Sequence, residues 1–176
     1  MIKTVENFYP NFDSAENLLS SRIFSDIDYG GVRYPSISPS ISAWAYPLFE
    51  KALGFKVTPV FDYLRRYEKG VAQPSFIHSD RGLAMYSAVL SMRDNNGSLA
   101  FWKHLRTGET FPDSGVFSPD DFFQESFWEK YLEVPLKKNL CVIYDARLFH
   151  SRYPKDWQEE EARLVQVFFF NPQEVS

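Results

Sequence analysis

The 176-residue sequence predicts a mainly β chain in one domain, with N-terminal helices (1–56) supporting an antiparallel barrel or jelly roll (57–172). Three observations predict it. Apolar residues recur at helical spacing in the first third. From Val57 the pattern changes to short strand-like runs divided by turn signals. Aromatic residues make up 18% of the chain, and wide sheet interiors consume such rings.

The elements follow in order. Asp13-Ser14-Ala15-Glu16 has capping-box spacing, and Leu18, Leu19, Ile23 and Phe24 follow on one face. This predicts a helix from about Ser14 to Ser25. Tyr29-Gly30-Gly31 breaks it, and Ser36 to Pro39 read as loop. A second helix holds Trp44, Leu48, Phe49 and Leu53 and closes at Gly54, and Pro47 must either sit in its first turn or kink it. The predicted strands are Val57–Tyr67, Ser75–His78, Ala84–Met92, Ser98–His104, Leu140–Tyr144, Leu148–His150 and Ala162–Phe170. Ser118-Pro119-Asp120-Asp121 reads as the start of one helical insertion.

Composition narrows the function classes. Hydrophobic residues at 44% and charged residues at 24% exclude a disordered chain. No apolar run is long enough to span a bilayer, and Met1-Ile2-Lys3 is followed by no apolar h-region, so no membrane partner and no signal peptide are expected. The net charge of −4 weakly disfavours nucleic acid as a partner. Cys141 is the single cysteine, so no internal disulfide can form and a reducing, cytoplasmic setting is expected.

Three histidines can carry metal chemistry: His78, His104 and His150. In Phe76-Ile77-His78-Ser79-Asp80 the imidazole and the carboxylate stand two apart, so an extended chain presents both on one face. His150 lies far downstream, after Tyr144-Asp145-Ala146-Arg147-Leu148-Phe149. His-x-Asp with a distant His is the two-His, one-carboxylate set that suits non-haem Fe(II), because it leaves positions on the ion open. Alone, the pair His78/Asp80 is weak evidence, since a surface histidine beside an acid is the commoner arrangement. Arg163 lies in the otherwise apolar run from Ala162 to Phe170, and a charge there is costly unless paired. Its alternative is a strand-edge arginine bridging to Glu159, Glu160 or Glu161. His104 reads as a surface or supporting residue, Asp145 as a turn-fixing acid and Cys141 as core.

In these segments the chain resembles the Fe(II)- and 2-oxoglutarate-dependent dioxygenases of the prolyl-hydroxylase-like type, especially the small bacterial and phage members. The resemblance spans Val57 to Asn171. It rests on Leu64-Arg65-Arg66-Tyr67-Glu68-Lys69-Gly70 followed by His78-Ser79-Asp80, on Gly97-Ser98-Leu99-Ala100-Phe101, on Leu140 to Asp145 with His150, and on Arg163. It implies a double-stranded β-helix of cupin type. It implies Fe(II), 2-oxoglutarate and O2 as cofactors, with His78, Asp80 and His150 as metal ligands and catalytic centre. Arg163 would grip 2-oxoglutarate, and Tyr67 would contact it. The implied activity is hydroxylation of an unidentified substrate (small molecule, protein side chain or nucleobase) with release of succinate and CO2. Two positions depart from the family pattern. Ser91 stands where members often carry a co-substrate tyrosine, so Tyr67 or Tyr86 would substitute. Leu164-Val165 follows Arg163 where many have x-Ser or x-Thr. Arg33, Tyr34, Trp44 and Trp102 are candidates for a substrate rim. The competing reading is a cupin-like metal-binding or 2-oxoglutarate-sensing module without turnover, which has no need of an isolated cation such as Arg163.

Overall fold

A computed structural model describes residues 1–29, 31–40, 42–71, 76–113 and 117–173. The elements in chain order are β1 (Ile2–Val5), α1 (Phe12–Ser20), β2 (Ser25–Tyr29), β3 (Val32–Ser40), α2 (Tyr46–Leu53), β4 (Val57–Tyr67), β5 (Tyr86–Ser91), β6 (Ser98–His104), β7 (Trp128–Pro135), β8 (Cys141–Asp145), β9 (His150–Tyr153) and β10 (Arg163–Pro172). They form a seven-stranded sheet in the order β1-β8-β5-β10-β4-β3-β2 and a three-stranded sheet in the order β7-β6-β9. Every pairing is antiparallel. Among the described residues no helix is long and apolar enough to cross a membrane.

Alternation along β10 sorts the layers. Leu164, Phe168 and Phe170 face the helices, where they pack with Phe8, Tyr46, Phe49 and Leu64. Val165, Val167 and Phe169 face the small sheet, where they join Tyr67, Val89, Leu99, Phe101, Val142 and Tyr144. Burying each such ring or branched chain is worth about 1.5–3 kcal/mol, so the two clusters fix which face of β10 looks inward. Gln166, fully buried on the helix side, is fully engaged: Tyr9 Oη donates to its Oε1 at 2.8 Å, and its Nε2 donates to Ser42 Oγ at 2.7 Å and Asp62 Oδ2 at 3.0 Å. Arg163 shares the phase of Val165 and therefore points between the sheets.

The first third differs from expectation. It supplies three strands to the large sheet besides its two helices. α1 starts after Asn11, whose side chain accepts the Ser14 amide, in place of Asp13. That frame buries Ala15 and Leu19 and leaves Ile23, 85% exposed, out of the helix. The stretch Ser36 to Pro39, expected as loop, belongs to β3; its prolines masked a strand that carries a positive φ at Ser36 and an irregular register with β2. α2 and β4 fall where the sequence places them, with Gly54 left-handed at the helix end.

Later boundaries shift too. The strand expected over Ser75–His78 is reduced to one isolated bridge at His78, and Ser75, like Gly30, lies outside the described residues. His150 opens β9 and does not close a strand at Leu148. The expected insertion helix is reduced to two short 3-10 turns, Pro119–Phe122, held by a Ser118/Asp121 capping box, and Glu125–Phe127. β7 went unpredicted because it buries only Trp128 and leaves most of its length exposed, so it shows no apolar alternation.

Candidate metal centre

The site is assembled by backbone pairing. His78 N donates to His150 O at 3.0 Å, and His150 N donates to His78 O at 2.8 Å. Two residues that exchange both bonds stand directly opposite with side chains on the same face. Asp80, two residues on, is tied by its amide to Ala146 O at 2.8 Å. The three side chains converge: His78 Nε2 lies 3.6 Å from Asp80 Oδ1, and His150 Nε2 lies 3.3 Å from Asp80 Oδ2. One donor atom from each falls within 4.8 Å of the others. Adjacent donors around an octahedral ion stand about 3 Å apart, so this set could hold one with small adjustments.

The hydrogen bonds aim the donors. Each histidine turns Nδ1 to the carbonyl two residues before it, His78 to Phe76 O at 3.1 Å and His150 to Leu148 O at 2.9 Å. A carbonyl only accepts, so Nδ1 carries a proton in each ring and Nε2 is the nitrogen turned toward Asp80. Ser87 Oγ donates to Asp80 Oδ2 at 3.0 Å, and Tyr144 Oη lies 3.1 Å from His150 Nε2. Burial opposes charge on His78 and the neighbouring His150 adds to that, so its pKa falls to about 4 despite the pull of Asp80. Burial pushes the Asp80 carboxyl up, but the two imidazoles and Ser87 outweigh it and hold it at about 2. Burial likewise opposes charge on His150, yet Asp80 raises its pKa overall. The site thus keeps a carboxylate and a neutral His78, the protonation states a metal ion requires.

A second cluster lies in the same inter-sheet space. Arg163 is 2% exposed, and its guanidinium carbon stands 5.3 Å from the Tyr67 ring centre. Its nearest polar partner is Ser98 O at 3.4 Å from Nη2, while Nε and Nη1 have none among the described residues. The strand-edge alternative is therefore overturned: Glu160 pairs with Lys69 and Glu161 with Arg93.

Other candidates fall elsewhere. Tyr86 faces the helix side, stacked on Phe170, so it cannot reach the inter-sheet space. Ser91 is buried and donates to Arg93 O. Trp102 is no rim residue: it is 2% exposed, on the outer face of the small sheet, and its indole donates to Ser151 Oγ at 2.9 Å. Arg33 is spent on an exposed pair with Asp26, and Trp44 packs on Tyr9. Tyr34 does border the space, beneath the guanidinium of Arg65. His104 is buried, not at the surface, beside Thr107 and Asp121 and away from the triad. Asp145 fixes the turn through Arg147, and Cys141 is core. Residues that sequence reasoning missed are Ser87, Tyr144, Arg65 and Arg152. The last two were within reach of a period-two argument, since Arg65 shares a face with Tyr67, and Arg152 with His150.

No protein-family model matches the chain, and no curated protein sequence matches it. Solved structures do match in three dimensions. The non-heme alpha-ketoglutarate-dependent epimerase SnoN from nogalamycin biosynthesis aligns with a TM-score of 0.64 at 15% identity, covering 96% of this chain and 75% of its own. AviO1 from Streptomyces viridochromogenes Tue57 aligns at 0.59 and 14% identity, covering 99% and 90%. HygX from Streptomyces hygroscopicus, solved with nickel and 2-oxoglutarate, aligns at 0.57 and 14% identity, covering 98% and 83%. This chain shares their fold. At such identities the likeness is one of architecture.

Proposed function

We propose that this protein is an Fe(II)- and 2-oxoglutarate-dependent oxygenase built on a double-stranded β-helix, and that it hydroxylates its substrate. The observation that carries the reading is the pairing of a convergent His78/Asp80/His150 set with a buried, unpaired Arg163 in one inter-sheet space. A module that only held a metal would need the first and not the second. Neighbours of the same fold include enzymes solved with 2-oxoglutarate, which supports the assignment without fixing the reaction.

The donor set fits the ion. Two neutral imidazoles and one carboxylate suit Fe(II) and leave part of its coordination sphere open. The deep end fits the co-substrate. A guanidinium deprived of partners gains most from a planar carboxylate, which it meets with two parallel bonds. Arg163 would hold the distal carboxylate of 2-oxoglutarate, with Tyr67 backing the guanidinium. When bound together, Fe(II) and 2-oxoglutarate supply the O2 activation that oxidises a substrate C–H bond, releasing succinate and CO2. The chain's own part is positional. Ser87 and the backbone bridge hold the donors, Tyr144 stays a neutral phenol because burial raises its pKa, and the aromatic walls exclude water. His78, with 38% of its side chain exposed against 5% for His150, marks the side from which substrate arrives.

The test is anaerobic addition of Fe(II) and 2-oxoglutarate, read as the visible metal-to-ligand charge-transfer band. Wild type should show the band and release succinate on admission of O2. Arg163→Met should need at least about tenfold more 2-oxoglutarate for the same band. A wild-type protein with no band and no succinate would end the reading.

A further inference from the structure

Arg163 is not alone in its cavity. β4 projects Tyr63, Arg65 and Tyr67 to the inner face by simple alternation, and β9 projects His150 and Arg152. The register sets Arg163 opposite Tyr67 and Arg65 opposite Val165. The guanidinium carbons of Arg65 and Arg152 lie 4.6 and 4.7 Å from the Tyr67 ring centre, against 5.3 Å for Arg163. Three cations thus surround one aromatic ring in a chain whose net charge is −4.

None of the three forms an ion pair among the described residues. Nε and Nη2 of Arg65 and Nε of Arg152 are shielded from water without a partner, as are Nε and Nη1 of Arg163. Ring faces offset part of the cost of gathering like charges, but supply no acceptor for the N–H groups. Burial first, and then the charges of Arg152 and Arg65, depress the Arg163 pKa to about 10, against the pull of Tyr67; it remains a cation at neutral pH.

A charge balance, resting on the function proposed above, separates their tasks. A bound Fe(II) with Asp80 would carry one net positive charge, which one carboxylate of 2-oxoglutarate would neutralise. The distal carboxylate would be held by Arg163. Nothing then answers Arg65 and Arg152, although Asp156 exerts some attraction on Arg152. These two are half-buried where Arg163 is closed off, which sets them nearer the opening. We propose that Arg65, assisted by Arg152, forms a second oxyanion subsite, and that the substrate is an anionic small molecule whose carboxylate or phosphate docks there. A guanidinium clamped between the rings of Tyr34 and Tyr67 presents a fixed fork suited to such a group.

The test uses the Fe(II)-loaded protein saturated with 2-oxoglutarate under anaerobic conditions, titrated calorimetrically with inorganic phosphate and, separately, with acetate. Wild type should bind one further equivalent of one of these anions. Preference for phosphate assigns a phosphorylated substrate, and preference for acetate assigns a carboxylate. Arg65→Met should weaken this second anion about tenfold or more while the charge-transfer band keeps its 2-oxoglutarate dependence. Arg163→Met should do the reverse. Arg65→Lys, which keeps the charge and loses the fork, should bind the anion severalfold more weakly, and serves should the methionine variant not fold. An intact band with no second anion overturns the inference, as does an Arg65→Met variant that loses 2-oxoglutarate as Arg163→Met does, since all three arginines would then serve the co-substrate. A wild type without the band counts against the proposed function instead. In that case the same anion titrations of the metal-free protein decide on Arg65.

Discussion

His78 and His150 are bound to each other through both of their backbone hydrogen bonds, so the strand that carries one imidazole is registered on the segment that carries the other. The donor set is therefore fixed by main chain before any ion arrives, and side-chain partners only refine its aim. Ser87, which donates to Asp80, is the clearest such partner. Ser87→Ala should lower Fe(II) or Co(II) affinity about 10–100-fold, while Asp80→Ala should abolish stoichiometric binding. Metal titration followed by the d–d spectrum of the cobalt form would check both.

Metal affinity should depend on pH through one proton. Asp80 at about 2 and His78 at about 4 are already free of theirs at pH 5. His150, opposed by burial but raised overall by Asp80, is not. The ion must displace that proton, so affinity should climb about tenfold per pH unit from pH 5 and level off above the raised His150 value. Calorimetry in buffers of differing ionisation enthalpy should count close to one proton released per ion near pH 6. Two or three would contradict the assignment.

Gly97 couples packing to the site. Its φ is +69°, and a Cβ there would stand 2.7 Å from the Tyr153 carbonyl oxygen, backbone of the strand that holds His150 and Arg152. Gly97→Ala should cost about 1–3 kcal/mol and also weaken metal binding. Gly54→Ala, strained at φ +81° but meeting no atom within 4 Å, should cost less and leave the metal untouched. Denaturant melts paired with metal titrations separate the two.

Gln166 bridges Tyr9 to Asp62 beneath the large sheet. Gln166→Glu would set a second buried carboxylate against Asp62, destabilising the fold by about 3–5 kcal/mol at neutral pH. The shared proton such a pair needs raises the folded-state pKa. The loss should therefore shrink on acidification toward pH 5 and grow as pH rises above the unfolded value. Urea melts across that range would show it.

Phe49 touches Phe8, Tyr46, Phe168 and Phe170, joining α2 to β10. Phe49→Ala should cost about 3–5 kcal/mol with 2-oxoglutarate binding retained in the folded fraction, because its cluster lies on the face of β10 away from the site. Loss of the charge-transfer band in folded variant would show the two faces to be coupled.

The sequence by itself determined the local features. Val57–Tyr67 and Ser98–His104 were legible as strands because each is an uninterrupted run bounded by turn residues, and α2 because Gly54 and Pro47 mark its ends. His78 and Asp80 were legible as one face of an extended segment, and Arg163 as a charge in an apolar strand. Tertiary structure alone decided the rest. Ser36 to Pro39 became strand because β4 offers a partner at Ile37 to Ser40, which no local preference of a proline-containing segment reveals. Trp102 and Leu99 share a strand, yet alternation sends one outward and the other into the cavity, and nothing local says which sheet face is inner. That three arginines from β4, β9 and β10 meet around Tyr67 follows from register within the large sheet, which sets Arg163 opposite Tyr67, and from the packing of the small sheet against it, which brings in Arg152. Register is set by which apolar residues of distant strands can be buried together, and that is a property of the assembled sheets and not of any one segment.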